Sequence, residues 1–312
     1  MEGTLKNGEA VNGVKIRKHK NKNTLFIILM LAYPVLQFSV FFIYVNINTV
    51  VMSFQDTING KPGEALYNFN NYKLFIGELF TRETWWIAIK NSLLATLNNN
   101  FIMLPLSLLT GYFFYKKVLG DKVFKVIFFL PSIISIVVLS AVYMYMFNPE
   151  MGLFPLILRN LGFETIPDFF TDGKYAFGLV LLYCNWAGVG YSTLVLSGNI
   201  NKIPKEIMEY GQLEGVGLMR ELWTIVVPCI WPIVSTMLVT GSMTMFTFFI
   251  QVQIMTRGTG DSMTLAYRIN NWVIESKWEQ AAAAGIVLTI VAAPILILIK
   301  NFTGKFFNEV EF

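Results

Sequence analysis

Six long stretches of this chain contain no Asp, Glu, Lys or Arg, and they limit its possible folds more than any other feature. Each is at least as long as the roughly 20 residues with which a helix crosses the hydrocarbon core of a bilayer. Only helices and closed barrels satisfy their backbone polar groups in lipid, and these stretches lack the apolar–polar alternation of barrel strands. The sequence therefore predicts an all-α membrane protein with six transmembrane helices. The stretches are residues 23–55, 91–115, 126–149, 175–201, 222–256 and 280–299.

The composition of the 312 residues argues against other classes of protein. Hydrophobic residues make up 54% and charged residues 14% of the chain, compared with roughly 45–50% and 25% in soluble domains. The net charge of +4 is spread along the chain, so we expect no nucleic-acid partner and a surface in contact with membrane lipid. Two cysteines and one histidine provide neither a disulfide framework nor a cluster of metal ligands, and we predict no metal site.

The distribution of Lys and Arg predicts how the helices are oriented. A basic cluster within residues 1–22 precedes the first stretch, and placing it in the cytoplasm puts most of the 24 basic residues on the cytoplasmic side, where membrane proteins concentrate them. We expect both termini to be cytoplasmic, with tails at 1–22 and 301–312 around a transmembrane domain at 23–300. The expected spans are about 24–54, 91–115, 124–147, 175–198, 224–254 and 280–300.

The sequence contains none of the common catalytic motifs. It lacks the GxxxxGK[ST] phosphate-binding loop, the HExxH metal motif and the GxSxG nucleophile elbow. We therefore expect no catalytic residue, no cofactor bound by this chain and no nucleotide hydrolysis by it. The six stretches also lack the ionisable side chains that usually mark a proton or ion relay, which disfavours ion-coupled transport.

Residues 203–228 connect the fourth and fifth stretches and carry a structural signal of their own. Pro204 suits the first turn of a helix, because its missing N–H would be unpaired there anyway, and a helix of about three turns is predicted after it. Gly215 and Gly217 predict a tight reversal, since glycine readily adopts the left-handed conformation. A second helix should then start at about Leu218. Such an element suits docking into a partner's groove, and an amphipathic loop on lipid headgroups fits the same pattern.

The same segment resembles the EAA motif of ABC importer permeases. That motif consists of a glutamate, two alanines, two variable residues, an acidic residue and a glycine, with an aliphatic–proline ending downstream. Glu209, Glu214, Gly215 and Pro228 stand at the matching positions, whereas Tyr210-Gly211 occupies the two alanine positions. The spacing of the motif is intact, so the replacement of the two alanines bears on how tightly the element docks and not on the identity of the element.

Shorter matches resemble the MalF-like permeases of carbohydrate importers, in the same order and spacing, from about residue 25 to residue 300. This resemblance implies the MetI-like fold of a type I ABC importer permease in the plasma membrane of a prokaryote. The implied partners are a second, MalG-like permease, two ATPase subunits that use ATP and Mg, and an extracytoplasmic solute-binding protein that delivers a sugar or oligosaccharide. The matches are Asn71-Tyr72, Trp86 to Asn91-Ser92, Phe129 to Ser132, Asn148 to Gly152, Ile203-Pro204 with Glu206, Thr256 to Gly260 and Thr264-Leu265.

The resemblance also implies roles for individual residues in segment 203–228. Glu209 is expected to pair with a basic residue or backbone donors of the ATPase, and Gly215 is expected to allow close approach of the backbones. Ile207, Met208 and Leu213 are expected to make apolar contacts with the same subunit. The full set of expected coupling residues is Glu206, Ile207, Met208, Glu209, Leu213, Glu214, Gly215 and Pro228.

A substrate path is expected on the fourth and fifth stretches, because permeases that this chain resembles bind sugar on helices in those positions. Helical spacings of three and four place a set of small and aromatic residues on one face of each stretch. Small residues would leave room for a sugar ring and aromatic rings would stack on it, while helix packing alone also favours Gly and Thr. The expected residues, next to Cys184, are Gly188, Tyr191, Gly241, Thr244, Met245 and Phe248.

Two other classes of protein remain open at this point. A self-sufficient secondary carrier or channel for small polar solutes would transport its solute without an ATPase. A membrane-embedded transferase would need carboxylates at the membrane face, and Glu206, Glu209 and Glu214 qualify by number although they have no metal-binding companion.

Overall fold

The structure is a computed structural model that describes residues 22–56, 66–163 and 165–306. Most of the predicted N-terminal tail and the last six residues of the C-terminal tail lie outside these ranges. The chain divides into two compact units, Met1–Val51 and Met52–Phe312, which are described separately.

The described part of the first unit is helical. Helix α1 (Lys22–Phe38) continues through a π-helical turn at Ser39–Tyr44 into α2 (Val45–Ser53), whose last residues belong to the second unit. The polar side chains of this helix bond its own backbone, as Asn46 Nδ2 does to Phe42 O at 2.7 Å and Thr49 Oγ1 to Val45 O at 2.9 Å. Such internal pairing lets a polar residue lie in an apolar helix without an unsatisfied group.

The second unit is built almost entirely of helices. Its described sheet is one short antiparallel pair, β1 (Gln55–Asp56) with β2 (Leu66–Tyr67). Helix α4 (Glu83–Asn98) passes through a π-helical turn at Asn99–Met103 into helix α5 (Leu104–Tyr115). Together they form the continuous helix Glu83–Tyr115. The helices are α3 (Asn70–Thr81), α4 (Glu83–Asn98), α5 (Leu104–Tyr115), α6 (Asp121–Ile133), α7 (Ile136–Met146), α8 (Leu153–Asn160), α9 (Ala176–Ile200), α10 (Lys205–Leu213), α11 (Leu218–Glu221), α12 (Val227–Cys229), α13 (Trp231–Thr247), α14 (Ile250–Met255), α15 (Leu265–Ile274) and α16 (Trp278–Thr303).

Among the described residues, four helices are long and apolar enough to cross a membrane, and there are up to six if each of two bent helix pairs is counted as one span. The four are Phe26–Phe54, Glu83–Tyr115, Ala176–Ile200 and Trp278–Thr303. Three of them agree closely with the predicted spans. The second begins eight residues before the predicted start at 91. The prediction followed stretches without charged residues, which begin only after Lys90, whereas the helix continues through Lys90.

The predicted continuous helices at 124–147 and 224–254 are both broken. Helices α6 and α7 meet at an angle of 105°, and the helix Leu218–Cys229 meets α13 at 82°. At the first break Ile134 is extended (φ −74°, ψ 141°), and Pro131 in the last turn of α6 weakens that turn because it cannot donate to the carbonyl of Ile127. At the second, Pro232 lies in the first turn of α13, a position that favours a new helix over continuation of the old one.

The core of the second unit contains two large clusters of buried apolar side chains. One joins α5, the end of α9, α10 and residues 222–234, and we call this the coupling end of the unit. The other joins α7, α9, α14 and α15 with Phe170 and Phe248. At the opposite end of the long helix Glu83–Tyr115, which we call the far end, Phe75, Trp85 and Trp272 stack edge to face. The two clusters hold the helices on either side of the middle of the unit.

Candidate functional site

The predicted helix–glycine–helix element is present, and we call residues 204–230 the coupling segment. Helix α10 starts directly after Pro204 and ends at Leu213. Gly215 follows with φ +71°, the left-handed conformation that L residues rarely adopt, and Gly217 starts α11 from an extended conformation. The N–H of Val216 closes the reversal by donating to Gly211 O at 3.0 Å. The local backbone signals in the sequence therefore predicted this segment correctly.

The coupling segment exposes one face and buries the other. Glu206, Glu209 and Glu214 are exposed, and so are Tyr210 and Leu213, the latter by 87%. Exposed apolar side chains that are rimmed by polar residues mark many interaction surfaces.

The buried face of α10 corrects one expectation about the coupling residues. Met208 is 3% exposed and packs in the cluster with Leu222 and Val226, so it anchors the helix to its own chain and presents no surface to a partner. Helical spacing explains this, because Met208 and Gly211 lie three residues apart on the same inward face. Ile207 and Pro228 are half-buried, which leaves Glu206, Glu209, Leu213 and Glu214 as the accessible side chains of the expected set.

A groove of about 550 Å³ lies between α10 and the helix that follows the reversal. Its wall combines the carboxylates of Glu206 and Glu214, the guanidinium of Arg220 and the ring of Tyr210. Apart from Gly215 and its two chain neighbours, no heavy atom of the described residues lies within 4 Å of where a Cβ at Gly215 would be. The expected close approach at Gly215 is therefore not made within this chain.

A buried ion pair that the sequence analysis did not identify lies beneath the coupling segment. Lys116 Nζ is 2.6 Å from Glu221 Oε1, and the two side chains are 19% and 1% exposed. Lys116 follows the last residue of α5, and Glu221 is the last residue of α11. No local pattern links two residues so far apart in the sequence.

The unit contains a central cavity of about 370 Å³, and part of its lining belongs to the core cluster that joins α7, α9, α14 and α15. Helix α9 contributes more lining residues than any other element, and the wall combines amides, hydroxyls, one thiol and aromatic rings. None of the described residues that line it is charged. The lining residues are Ala95, Asn98, Asn99, Met103, Pro131, Ser132, Ile134, Ile136, Leu139, Leu181, Tyr183, Cys184, Ala187, Gly188, Thr244, Phe248 and Gln251.

Three of the six expected path residues line the central cavity, namely Gly188, Thr244 and Phe248. Gly241 lies behind the wall, where a Cβ would overlap the side-chain oxygen of Asn100. Met245 is half-buried outside the lining. The sixth, Tyr191, is 62% exposed and does not line this cavity.

Three consecutive asparagines at the π-helical turn connect the helices around the central cavity. Asn98 and Asn185 form a reciprocal pair of amide hydrogen bonds, each 2.9 Å long. Asn99 Nδ2 donates to Thr244 Oγ1 at 3.1 Å, and Asn100 Nδ2 donates to Ser242 Oγ at 2.9 Å. Three amides in a row within an apolar stretch are a signal for interhelical hydrogen bonds, and this signal was not used in the predictions from the sequence.

A second cavity of about 630 Å³ lies farther along the helices and is lined in part by Asp168, Arg257 and Thr259. The loop that forms one wall is held rigidly, because Tyr267 Oη donates to Arg257 O at 2.5 Å and Asn91 Nδ2 donates to Asp261 O at 2.6 Å. Burial raises the pKa of the Tyr267 hydroxyl, so this hydrogen bond persists at physiological pH. We call this space the second cavity.

The described residues provide no metal centre. Among them, no group of three or more His, Cys, Asp or Glu side chains is placed to hold a metal ion.

The sequence matches one protein family over residues 103–307, that of the binding-protein-dependent transport system inner membrane component. A similar curated protein is the arabinooligosaccharides transport system permease protein AraP of Bacillus subtilis. It is 26% identical over 90% of this chain and 89% of its own length.

Two solved structures have the same fold. A chain of a bacterial ABC transporter involved in the import of the acidic polysaccharide alginate superposes with a TM-score of 0.80 at 20% identity, covering 91% of this chain and 97% of that chain. A chain of the alginate transporter in complex with a periplasmic protein bound to an alginate pentasaccharide gives a TM-score of 0.79 at 19% identity, with coverages of 93% and 98%. The architecture is thus shared across nearly the whole length.

Proposed function

The chain belongs to the family of binding-protein-dependent transport system inner membrane components, and from this premise we propose that it is the permease subunit of an ATP-driven importer of an uncharged sugar or oligosaccharide. The observation that carries the proposal is the presence, in one chain, of an exposed helix–glycine–helix segment and a polar but uncharged central cavity. The first suits reception of mechanical work from a partner, and the second suits passage of a neutral polar solute.

The coupling segment supports dependence on a partner ATPase. The chain has no phosphate-binding loop, whereas its exposed face offers Leu213 and Tyr210 for an apolar groove and three carboxylates for basic residues around that groove. An amphipathic helix that inserts into a hydrophobic groove is a common mode of recognition. We propose that two ATPase subunits with ATP and Mg²⁺ bind this segment and the equivalent segment of a second, MalG-like permease.

The central cavity supports a neutral carbohydrate as the solute. Amides and hydroxyls hydrogen-bond sugar hydroxyls, and the rings of Phe248 and Tyr183 provide apolar faces against which a sugar ring packs. A phosphorylated or acidic sugar would lack a cationic partner among the described lining residues. The relative AraP is a permease for arabinooligosaccharides, which are of this neutral class.

We further propose a topology and a transport cycle. Both bent helix pairs cross the membrane, which gives six spans in a prokaryotic plasma membrane with both termini in the cytoplasm. An extracytoplasmic solute-binding protein delivers the sugar to the far end of the unit. ATP binding draws the coupling segments of both permeases together, and rigid-body motion of the helices exposes the central cavity first to one side and then to the other.

The test is to purify the chain from its native membrane, identify the proteins that accompany it, and reconstitute the complex in proteoliposomes with the binding protein outside and ATP with Mg²⁺ inside. Labelled arabinotriose and diacetylchitobiose serve as neutral probes, and an alginate trisaccharide serves as the acidic probe. We expect an ATPase and a second permease in the preparation and ATP-dependent uptake of a neutral probe. Uptake by the isolated chain without an ATPase would instead identify a self-sufficient carrier.

A further inference from the structure

We propose that the buried ion pair between Lys116 and Glu221 is the positioning link through which the coupling segment moves the helix that lines the central cavity. The inference rests on the proposed function and concerns how the motion is transmitted within this chain. The pair joins residues that are distant in the sequence, whereas the ion pairs Lys125–Asp121 and Arg82–Glu78 each join residues four apart on one helix. Only the first of these three therefore ties separate elements together.

On one side of the pair, the coupling segment behaves as a single body. The backbone N–H of Glu221 donates to Gly217 O at 2.8 Å, which fixes α11 to the glycine reversal. Helix α10 packs against the next helix so closely that a Cβ at Gly211 would be 2.6 Å from Ile225 Cδ1. A displacement of the exposed face of α10 therefore displaces Glu221 as well.

On the other side of the ion pair, Lys116 directly follows a long, continuous helix. The helix Glu83–Tyr115 has 33 residues, which corresponds to a length of roughly 50 Å. Its middle carries Asn98, Asn99 and Met103, which line the central cavity. The ammonium group of Lys116 also lies 5.6 Å from the ring centre of Tyr112, which is completely buried. The end of this helix is thus held where the coupling segment contacts it.

The chemistry of the link explains why an ion pair suits this position. The two elements also share apolar contacts, because Leu108 and Tyr112 of the helix pack in the same cluster as Leu222 and Val226. Separating the ion pair would leave the carboxylate of Glu221, which is 1% exposed, without a compensating charge, a cost that the apolar contacts do not impose. The Lys116–Glu221 pair therefore fixes the register between the two elements, so that movement of one is passed to the other.

A native thiol provides the readout, because Cys184 lines the central cavity. The experiment uses the complete complex purified with its ATPase, with Cys229→Ser removing the second cysteine of the chain. The rate at which N-ethylmaleimide modifies Cys184 is measured by mass spectrometry without nucleotide and after trapping with ATP and vanadate. This readout needs no knowledge of the transported sugar.

Three variants are compared with the parent complex. Lys116→Met with Glu221→Met replaces the pair by apolar side chains, a change that usually keeps or increases stability. Lys116→Glu with Glu221→Lys reverses the charges. Lys125→Met with Asp121→Asn removes a neighbouring exposed pair, whose atoms are 2.9 Å apart, and serves as the matched control.

We expect vanadate trapping to change Cys184 reactivity at least fivefold in the parent and in the control. The apolar variant should keep its ATP hydrolysis but show less than a twofold change, and the reversed pair should recover at least half of the parental response. A full response in the apolar variant, an equal loss in the control, or a parent that hydrolyses ATP without any change at Cys184 would overturn the inference.

If the apolar variant does not accumulate, Glu221→Gln provides the deciding measurement, because it keeps the size of the side chain and removes its charge. A reduced response at normal abundance supports the link, and an unchanged response overturns it. Failure of the proposed function itself would be recognised earlier, since the purified parent would then contain no ATPase.

Discussion

The coupling segment and the central cavity are two functional regions of opposite construction. The coupling segment is exposed, carries three accessible carboxylates and obtains its shape from residues within 27 positions of one another. The cavity wall is inside the bundle, carries no charge among its described residues and depends on hydrogen bonds between positions as distant as Asn99 and Thr244. The comparison teaches that the shape of an exposed docking segment can follow from its local sequence. The shape of a solute path, in contrast, forms only when the whole helix bundle is assembled.

The largest expected effect concerns the side of the membrane on which each region lies. In a chain with Cys184→Ser and Cys229→Ser, cysteines at Asp168 and Thr259 should react with an impermeant thiol reagent added outside intact cells, because both positions are exposed at the second cavity, which the proposed topology places on the outside. A cysteine at Lys122, which is exposed beside the coupling end, should react only after the cells are opened. The opposite labelling pattern would place the coupling segment outside and break the comparison.

The next largest effect is expected from Gly215→Val. At φ +71° a β-branched residue is strained by roughly 1–2 kcal/mol, so the substitution should change the shape of the reversal. Sugar uptake and stimulated ATP hydrolysis should then fall at least about tenfold. Gly217→Ala is the matched control, since Gly217 has an ordinary φ of −67° and equally open surroundings. Quantitative blotting of the membrane fraction should show normal amounts of both variants. Wild-type uptake by the valine variant would remove the reversal from the mechanism.

A smaller effect should separate the two aromatic residues that the sequence placed on the path. Phe248 lines the central cavity and is 9% exposed, whereas Tyr191 is 62% exposed and lies outside its lining. Loss of an aromatic contact of about 0.5–1.5 kcal/mol should raise the sugar concentration for half-maximal uptake by up to roughly tenfold in Phe248→Ala. Tyr191→Ala should change it less than twofold. Equal effects of the two substitutions would mean that the path extends beyond this cavity.

The smallest effect should come from the amide pair of Asn98 and Asn185 beside the central cavity. Hydrogen bonds between membrane helices contribute about 0.6 kcal/mol on average, so Asn98→Ala should alter uptake roughly threefold. Because Asn98 and Asn185 bond each other reciprocally, Asn185→Ala should have a similar effect and the double variant should be less than additive. Uptake kinetics of the four proteins provide the cycle. Strict additivity would show that the two amides act independently.

The same contrast explains what the sequence revealed and what it did not. Helix α10 and the reversal at Gly215 were predictable because Pro204 and the glycines act through local backbone preference. The long helices followed from the absence of charge. Which face of α10 is buried did not follow from the motif, so Met208 was placed wrongly.

Features set by distant contacts escaped prediction altogether. The ion pair of Lys116 with Glu221 and the amide pair of Asn98 with Asn185 join helices whose neighbourhood is decided only when the bundle forms. The bend of 105° between α6 and α7 is another example, since a proline alone does not state the angle at which the chain resumes its helix. Helix α4, finally, continues through Lys90, which a criterion based on charge treats as a boundary.

The π-helical turn at Asn99–Met103 has a consequence for the rotational phase of the second membrane helix. A wide turn accommodates about one residue more than an α-helical turn, and one residue corresponds to roughly 100° of rotation about the axis. The extra residue therefore rotates the side chains of α5 about the helix axis relative to those of α4. In this arrangement the asparagines contact α9 and α13 while Lys116 faces Glu221. A regular α-helix through the same residues would rotate one of these two faces by roughly 100° away from its partner.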